Sequence, residues 1–137
     1  MMQNNEILEG GALNTFGEKF NFEGKKQKYV MKYKMLGMSI KSILDNKILS
    51  IPEYIKIDVD GIEHLILEGA SHYLKNKRIK SISIEINENF KLQKKMIINL
   101  MKINNFKFTQ KKQSDFLKNS NNKFNKSFNY IFEKKNF

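Results

Sequence analysis

The order of apolar and polar side chains divides this chain into recognisable segments. Gln27 to Lys34 alternates, with Tyr29, Met31 and Tyr33 set against Lys28, Val30, Lys32 and Lys34, and this predicts a strand. Gly37 breaks the run, and Ser39 is placed to N-cap a short helix over Ile40 to Asn46. Tyr54 to Val59 alternates most clearly. Ile55, Ile57 and Val59 take one face, and Tyr54, Lys56 and Asp58 take the other. After an Asp60-Gly61 turn, Ile62, Leu65, Ile66, Gly69, Ala70, Tyr73 and Leu74 recur at helical spacing, which predicts a helix ending near Asn76. Ile79 to Ile86 reads as another strand, with Ile82, Ile84 and Ile86 on one face. Phe90 to Asn104 follows as a helix whose core stripe is Leu92, Met96, Leu100 and Ile103, flanked by Ile97 and Met101. Phe106 to Lys111 and Asn129 to Glu133 are the last strands, separated by a polar loop from Ser114 to Lys126.

Strands alternating with helices imply right-handed crossovers. The expected fold is therefore α/β, its sheet mostly parallel. No helix separates the last two strands, so the last is expected to run antiparallel. Tyr54 to Val59 is expected at the centre of the sheet. Residues 1–26 carry Gly10, Gly11, Gly17 and Gly24 without an apolar period and read as an irregular segment. The folded domain is expected over 27–137.

Composition narrows the function classes. The chain has no cysteine, which excludes a disulfide framework, a thiolate metal site and a cysteine nucleophile. Its apolar runs are too short for a membrane-spanning helix. The first residues lack the basic-then-apolar order of a signal peptide, so a cytoplasmic location is expected.

The net charge of +11 is nearly all lysine, with Arg78 the only arginine. Seventeen Asn, seventeen Ile and one Pro suggest a compositional bias rather than a charged interface. Nucleic-acid sites favour the planar fork of arginine, so a nucleic-acid partner is not expected. The charge is uneven, however. Residues 1–74 carry net −1 and residues 75–137 net +12. A non-catalytic basic module holding RNA or an anionic lipid is therefore the alternative reading, recognisable by a steep salt dependence.

The chemistry concentrates between Lys56 and Glu63. In open α/β sheets, sites form beyond the carboxyl ends of the strands. Asp58 and Asp60 stand at such an end, and Glu63 stands at the start of the next helix. Together they could bind a cation, accept hydrogen bonds from a polyol or move a proton. Asp60 could instead cap the helix with Glu63 in a capping-box arrangement. Asp58 and Lys56 share one strand face, where burial would force them to pair or serve a site. Glu85 is the only acid of its strand and would open onto the same edge if the two strands are neighbours. His64 and His72 fall off the apolar stripe at a spacing unsuited to a metal pair, so both are expected to be exposed.

The run Tyr54-Ile55-Lys56-Ile57-Asp58-Val59-Asp60-Gly61-Ile62-Glu63, followed by Leu67-Glu68-Gly69-Ala70, resembles the signature of FkbM-type methyltransferases. Ile82-Ser83-Ile84-Glu85-Ile86, the Asn104-Asn105-Phe106 turn and the closing Asn129-Tyr130-Ile131-Phe132 are similar to that family's later elements. The resemblance spans about Gly37 to Phe132. It implies a Rossmann-like sheet, S-adenosylmethionine as methyl donor and a hydroxylated small molecule or sugar as the O-methylated acceptor. It also places Asp58, Asp60, Glu63 and Glu85 at the active edge. Asp58 or Asp60 would orient or deprotonate the acceptor, and Lys56 would support Asp58. No metal is implied.

The family's acidic glycine-rich turn, D-x-G-A-x-x-G, has no counterpart, because Gly10-Gly11-Ala12 does not follow an apolar strand. Ser39-Ile40-Lys41 stands where the family has T-L-D. The chain is therefore expected to lack the amino-terminal cofactor-binding half and to bind the cofactor weakly by itself. It would be a truncated product, half of an assembly completed by a second copy or a separate cofactor-binding subunit, or a remnant with another binding role.

Overall fold

The computed structural model describes residues 2–4, 15–29, 31–113 and 124–135. Gly10-Gly11-Ala12 and residues 114–123 of the expected polar loop lie outside the described residues. Two sheets are present. The smaller joins β1 (Met2–Asn4), β2 (Thr15–Phe16) and β3 (Met31–Tyr33) in antiparallel order β2-β1-β3. The strand expected over 27–34 is thus only three residues long, and residues expected to be irregular supply two strands. Between β2 and β3, Phe20 bridges Lys26 around a tight turn.

The short helix α1 (Ile40–Asp45) begins as its sequence predicts. The Ser39 hydroxyl accepts from the Ser42 N–H at 3.0 Å, satisfying a free donor of the first turn. The larger sheet contains β4 (Tyr54–Ile57), β5 (Ser81–Asn87), β6 (Phe106–Lys112) and β7 (Ser127–Lys134), in the order β4-β5-β7-β6. β4 and β5 pair in parallel across the helices α2 (Glu63–Gly69) and α3 (Ser71–Leu74). Helix α4 (Lys91–Ile103) carries the chain onward to β6.

Two expectations about this sheet need correction. Of its three pairings only β4–β5 is parallel; β5–β7 and β6–β7 are antiparallel. The reason is insertion. β7 follows β6 without a helix, so it returns in the opposite direction, and it enters between β5 and β6. Strand direction is less mixed than the ladders, since β4, β5 and β6 all point the same way. The second correction is that β4 lies at the edge. Among the described residues it pairs with β5 alone.

The core lies on one face of this sheet. Ile82, Ile84 and Ile86 are fully buried, with Ile57, Tyr130 and Phe132 in register on neighbouring strands. Branched side chains suit this half-buried pleated surface. Leu67, Ala70 and Leu74 from the helical segment after β4, and Ile97 and Met101 from α4, close over them. The opposite face carries Lys56, Ser83 and Glu85 and stays partly open.

The helices differ from the predicted stripes in instructive ways. The helix expected to continue from Ile62 to Asn76 breaks at Ala70, and Gly69 is exposed. In α4 the buried positions are Gln93, Ile97 and Met101, whereas Leu92 and Ile103 are about 60 % exposed. The stripe is turned by one residue, because a polar side chain occupies its first position. At the far end, the Lys134 ammonium donates to the carbonyls of Leu74 and Asn104, tying down the ends of α3 and α4.

Helix α4 is also pinned at its start. Glu88 accepts from Lys94 at 2.7 Å, from Lys111 at 3.2 Å and from the Tyr130 hydroxyl. The Lys94 hydrogen bond, with that of Tyr130, holds the Glu88 carboxyl down at about 2. Its contribution is therefore present above its ordinary range and is lost as pH falls through about 2.

Core position and exposed position should separate cleanly in denaturant. Ile84→Ala is expected to cost about 2–5 kcal/mol in urea unfolding, as a buried deletion does. Leu92→Ala, on the predicted but unused stripe, should stay within ~0.5 kcal/mol of the parent.

Candidate functional site

The segment after β4 is folded by its own acids and one glycine. β4 ends at Ile57, two residues earlier than its sequence predicts. The chain then turns sharply: the Gly61 N–H donates to the Val59 carbonyl at 2.7 Å. Gly61 has φ of +103°, a left-handed value that disfavours a side chain. Space forbids one as well, since a β-carbon there would lie 2.8 Å from the Phe22 Cα and 3.1 Å from the Asn21 carbonyl. The turn is thus backed directly by the hairpin around Phe20–Lys26.

Helix α2 begins at Glu63, with Ile62 as an N-cap lacking a side-chain bond, so the capping box does not form. Glu63 turns inward and is 2 % exposed. Its Oε1 accepts from the N–H groups of Val59 at 3.3 Å and Gly61 at 3.4 Å. Its Oε2 accepts from Gln93 Nε2 at 2.6 Å, and the same nitrogen donates to the Gly61 carbonyl at 2.8 Å. Burial nevertheless pushes the Glu63 carboxyl up to about 7.

The other predicted residues gather on the open face. Lys56 and Asp58 form an ion pair at 2.6 Å, both partly exposed rather than buried. Their pairing was expected; their exposure follows from the edge position of β4. The parallel register sets Lys56 beside Ser83, so Asp58 and Glu85 follow on the same face at the carboxyl ends of neighbouring strands. Glu85 is half-buried. Its carboxyl is raised first by desolvation, then by the charges of Asp58 and Asp60. The structure therefore brings Lys56, Asp58, Asp60 and Glu85 together and sets Glu63 behind them as the brace of their turn.

Three further residues escaped the sequence reading. Gln93 is buried within α4 and joins that helix to the turn. Asn87, two residues beyond Glu85, lines a narrow crevice with Phe22, Gly61, Glu63, Glu85 and Gln93. Its Nδ2 is buried without a protein acceptor among the described residues. Asn129 stands opposite Glu85 in the β5–β7 register, and its Oδ1 likewise lacks a donor. Buried polar atoms without partners are uncommon, and the crevice beside Asn87, with a volume of about 10 Å³, has room for one water. The only available signal was position: Asn87 and Asn129 flank Glu85 at strand spacing.

His64 corrects an expectation. It is buried, with its ring 6.2 Å from Phe20 and 5.8 Å from Phe90, and desolvation lowers its pKa. Its burial comes from the hairpin, an element invisible in the helix pattern. His72 is exposed, as expected. Among the described residues no three acids or histidines are arranged to hold a metal ion.

The model of the FkbM methyltransferase domain matches residues 8–118. The chain belongs to this methyltransferase family. No curated protein and no solved structure matches it. Membership implies an S-adenosylmethionine-type donor in general terms. The described residues do not fit that group. At Gly61, the one glycine of the site turn, the close approach open to a ligand is filled by the chain's own Phe22 and Asn21. No helix among the described residues is long and apolar enough to cross a membrane.

The buried acid gives a pH signature. Glu63 lies above its ordinary 4.5 in the fold, so the folded state holds that proton more tightly than the unfolded chain. Its stabilising effect is full below about 4.5 and is lost as pH rises through about 7. Glu63→Gln should therefore gain on the parent over that interval, by about 3 kcal/mol, in chemical denaturation at stepped pH. Gln93→Leu should lose about 2–3 kcal/mol at pH 8, where it strands an ionised carboxylate and a buried carbonyl.

Proposed function

We propose that the chain acts on the acceptor side of an S-adenosylmethionine-dependent O-methyl transfer, within a Rossmann-like domain, on a hydroxylated small molecule or sugar. The observation that supports this most is the meeting of Asp58, Asp60 and Glu85 beyond the ends of two parallel strands, beside the unpaired Asn87 amide. A neutral hydroxyl compound suits such a set. Its O–H groups donate to the carboxylates.

The roles divide by environment. Asp58, held by Lys56 and partly exposed, is suited to orient a hydroxyl. Glu85, half-buried and raised, is suited to accept the proton the hydroxyl loses as its oxygen becomes nucleophilic. Glu63 is a positioning residue that fixes the height of Asp60 through the turn. No step is assigned to the donor, because the described residues offer no cradle for it.

Transfer of a labelled methyl group from S-adenosylmethionine to a panel of hydroxylated acceptors tests the reading. Glu85→Gln is expected to lower the rate about 10²–10⁴-fold. Glu68→Gln, on the exposed side of α2, should leave it unchanged. Parental rates in both Glu85→Gln and Asp58→Asn would overturn the proposal.

A further inference from the structure

Next to the acid cluster lies a second concavity of different chemistry. It has a volume of about 610 Å³ and is bounded by the stretch from Met35 to Ile40 on one side and α2 on the other. Phe16, Met35, Leu36, Met38, Ile62 and Leu65 supply its apolar wall, and no charged side chain lines it. Leu36 is 92 % exposed, and Phe16, Met35 and Met38 beside it are exposed as well.

The groove and the acids share one turn. Ile62 lines the groove and stands two residues after Asp60, so the two Cα atoms lie within ~7 Å. We infer that this groove holds the apolar body of the methyl acceptor, a molecule that carries its reacting hydroxyl at one end of an aliphatic or ring-based hydrocarbon portion. The inference rests on the function proposed above and narrows its acceptor class.

Three observations favour this occupant. The volume falls within the range of small-molecule sites and is small for the contact area of a stable protein interface. The wall is apolar apart from Ser39 and contains two methionines, whose unbranched thioethers adapt to ligands of varied shape. The groove also begins at Ile62, two residues along the chain from Asp60. Of the other exposed apolar side chains, Leu92 and Ile98 on α4 sit among Lys91, Lys95 and Lys102 and make no such uncharged wall.

The test uses the full chain with methyl-labelled methionine and a series of 1,2-alkanediols from butane- to octane-1,2-diol, followed by NMR. Affinity is expected to rise about fourfold per methylene. Shifts should centre on Met35 and Met38 and spare Met96 and Met101. Leu36→Asp should abolish the dependence on chain length, whereas Leu92→Asp should not. Chain-length-independent binding, no binding, or shifts of Met96 as large as those of Met35 would overturn the inference.

Because this experiment needs no methyl donor, it separates the two readings. Diol binding in the groove with parental transfer rates in both Glu85→Gln and Asp58→Asn would leave the groove standing and remove the proposed function. Transfer to a bare polyol as fast as to octane-1,2-diol would do the reverse.

Discussion

The buried carboxylate of Glu63 is the contact on which the site depends. One oxygen gathers the N–H groups of Val59 and Gly61, and the other meets the amide of Gln93 from α4. A turn that would otherwise leave free donors at the start of a helix is closed from within. Gln93 also takes the Gly61 carbonyl, so both directions of the turn's peptide groups are answered by two side chains. The arrangement costs something, since the acid is held near neutrality rather than in the usual carboxylate range. What it secures is a fixed spacing between the end of β4 and the helix behind it, with Asp58 and Asp60 presented outward.

That inward–outward division explains how acids crowded into six residues coexist. Glu63 faces protein donors, Asp58 faces Lys56, and Glu85 shares the repulsion by being partly desolvated. Burial raises Glu63 to about 7 and raises Glu85 as well. Residues of one chemical type thus sit in different surroundings within one short reach of the fold.

Much of this was legible in the order of residues. The isoleucines at 82, 84 and 86 announced a buried strand because alternation and β-branching agree there. Ser39 announced its helix because capping is a local interaction. Asp58 and Glu85 could be set on one edge because strand spacing fixes faces once two strands are neighbours. Features decided over long range were not legible. Gln93 broke the expected stripe of α4, since only contact with a turn thirty residues earlier makes a polar side chain welcome in the core. His64 looked exposed because the hairpin covering it comes from the least patterned part of the chain. The edge position of β4 and the insertion of β7 depend on pairing choices that a single strand does not encode.

Gly61 has a mechanical consequence. Its missing side chain lets the backbone at Asn21 and Phe22 rest directly on the turn, so the early hairpin is a backstop rather than decoration. The two segments are about forty residues apart in sequence and touch without a cushion. Cutting away residues 15–29 to trim the protein would remove the wall against which the acidic loop is braced. The outward carboxylates would then have room to wander although none of their own neighbours in the chain had changed.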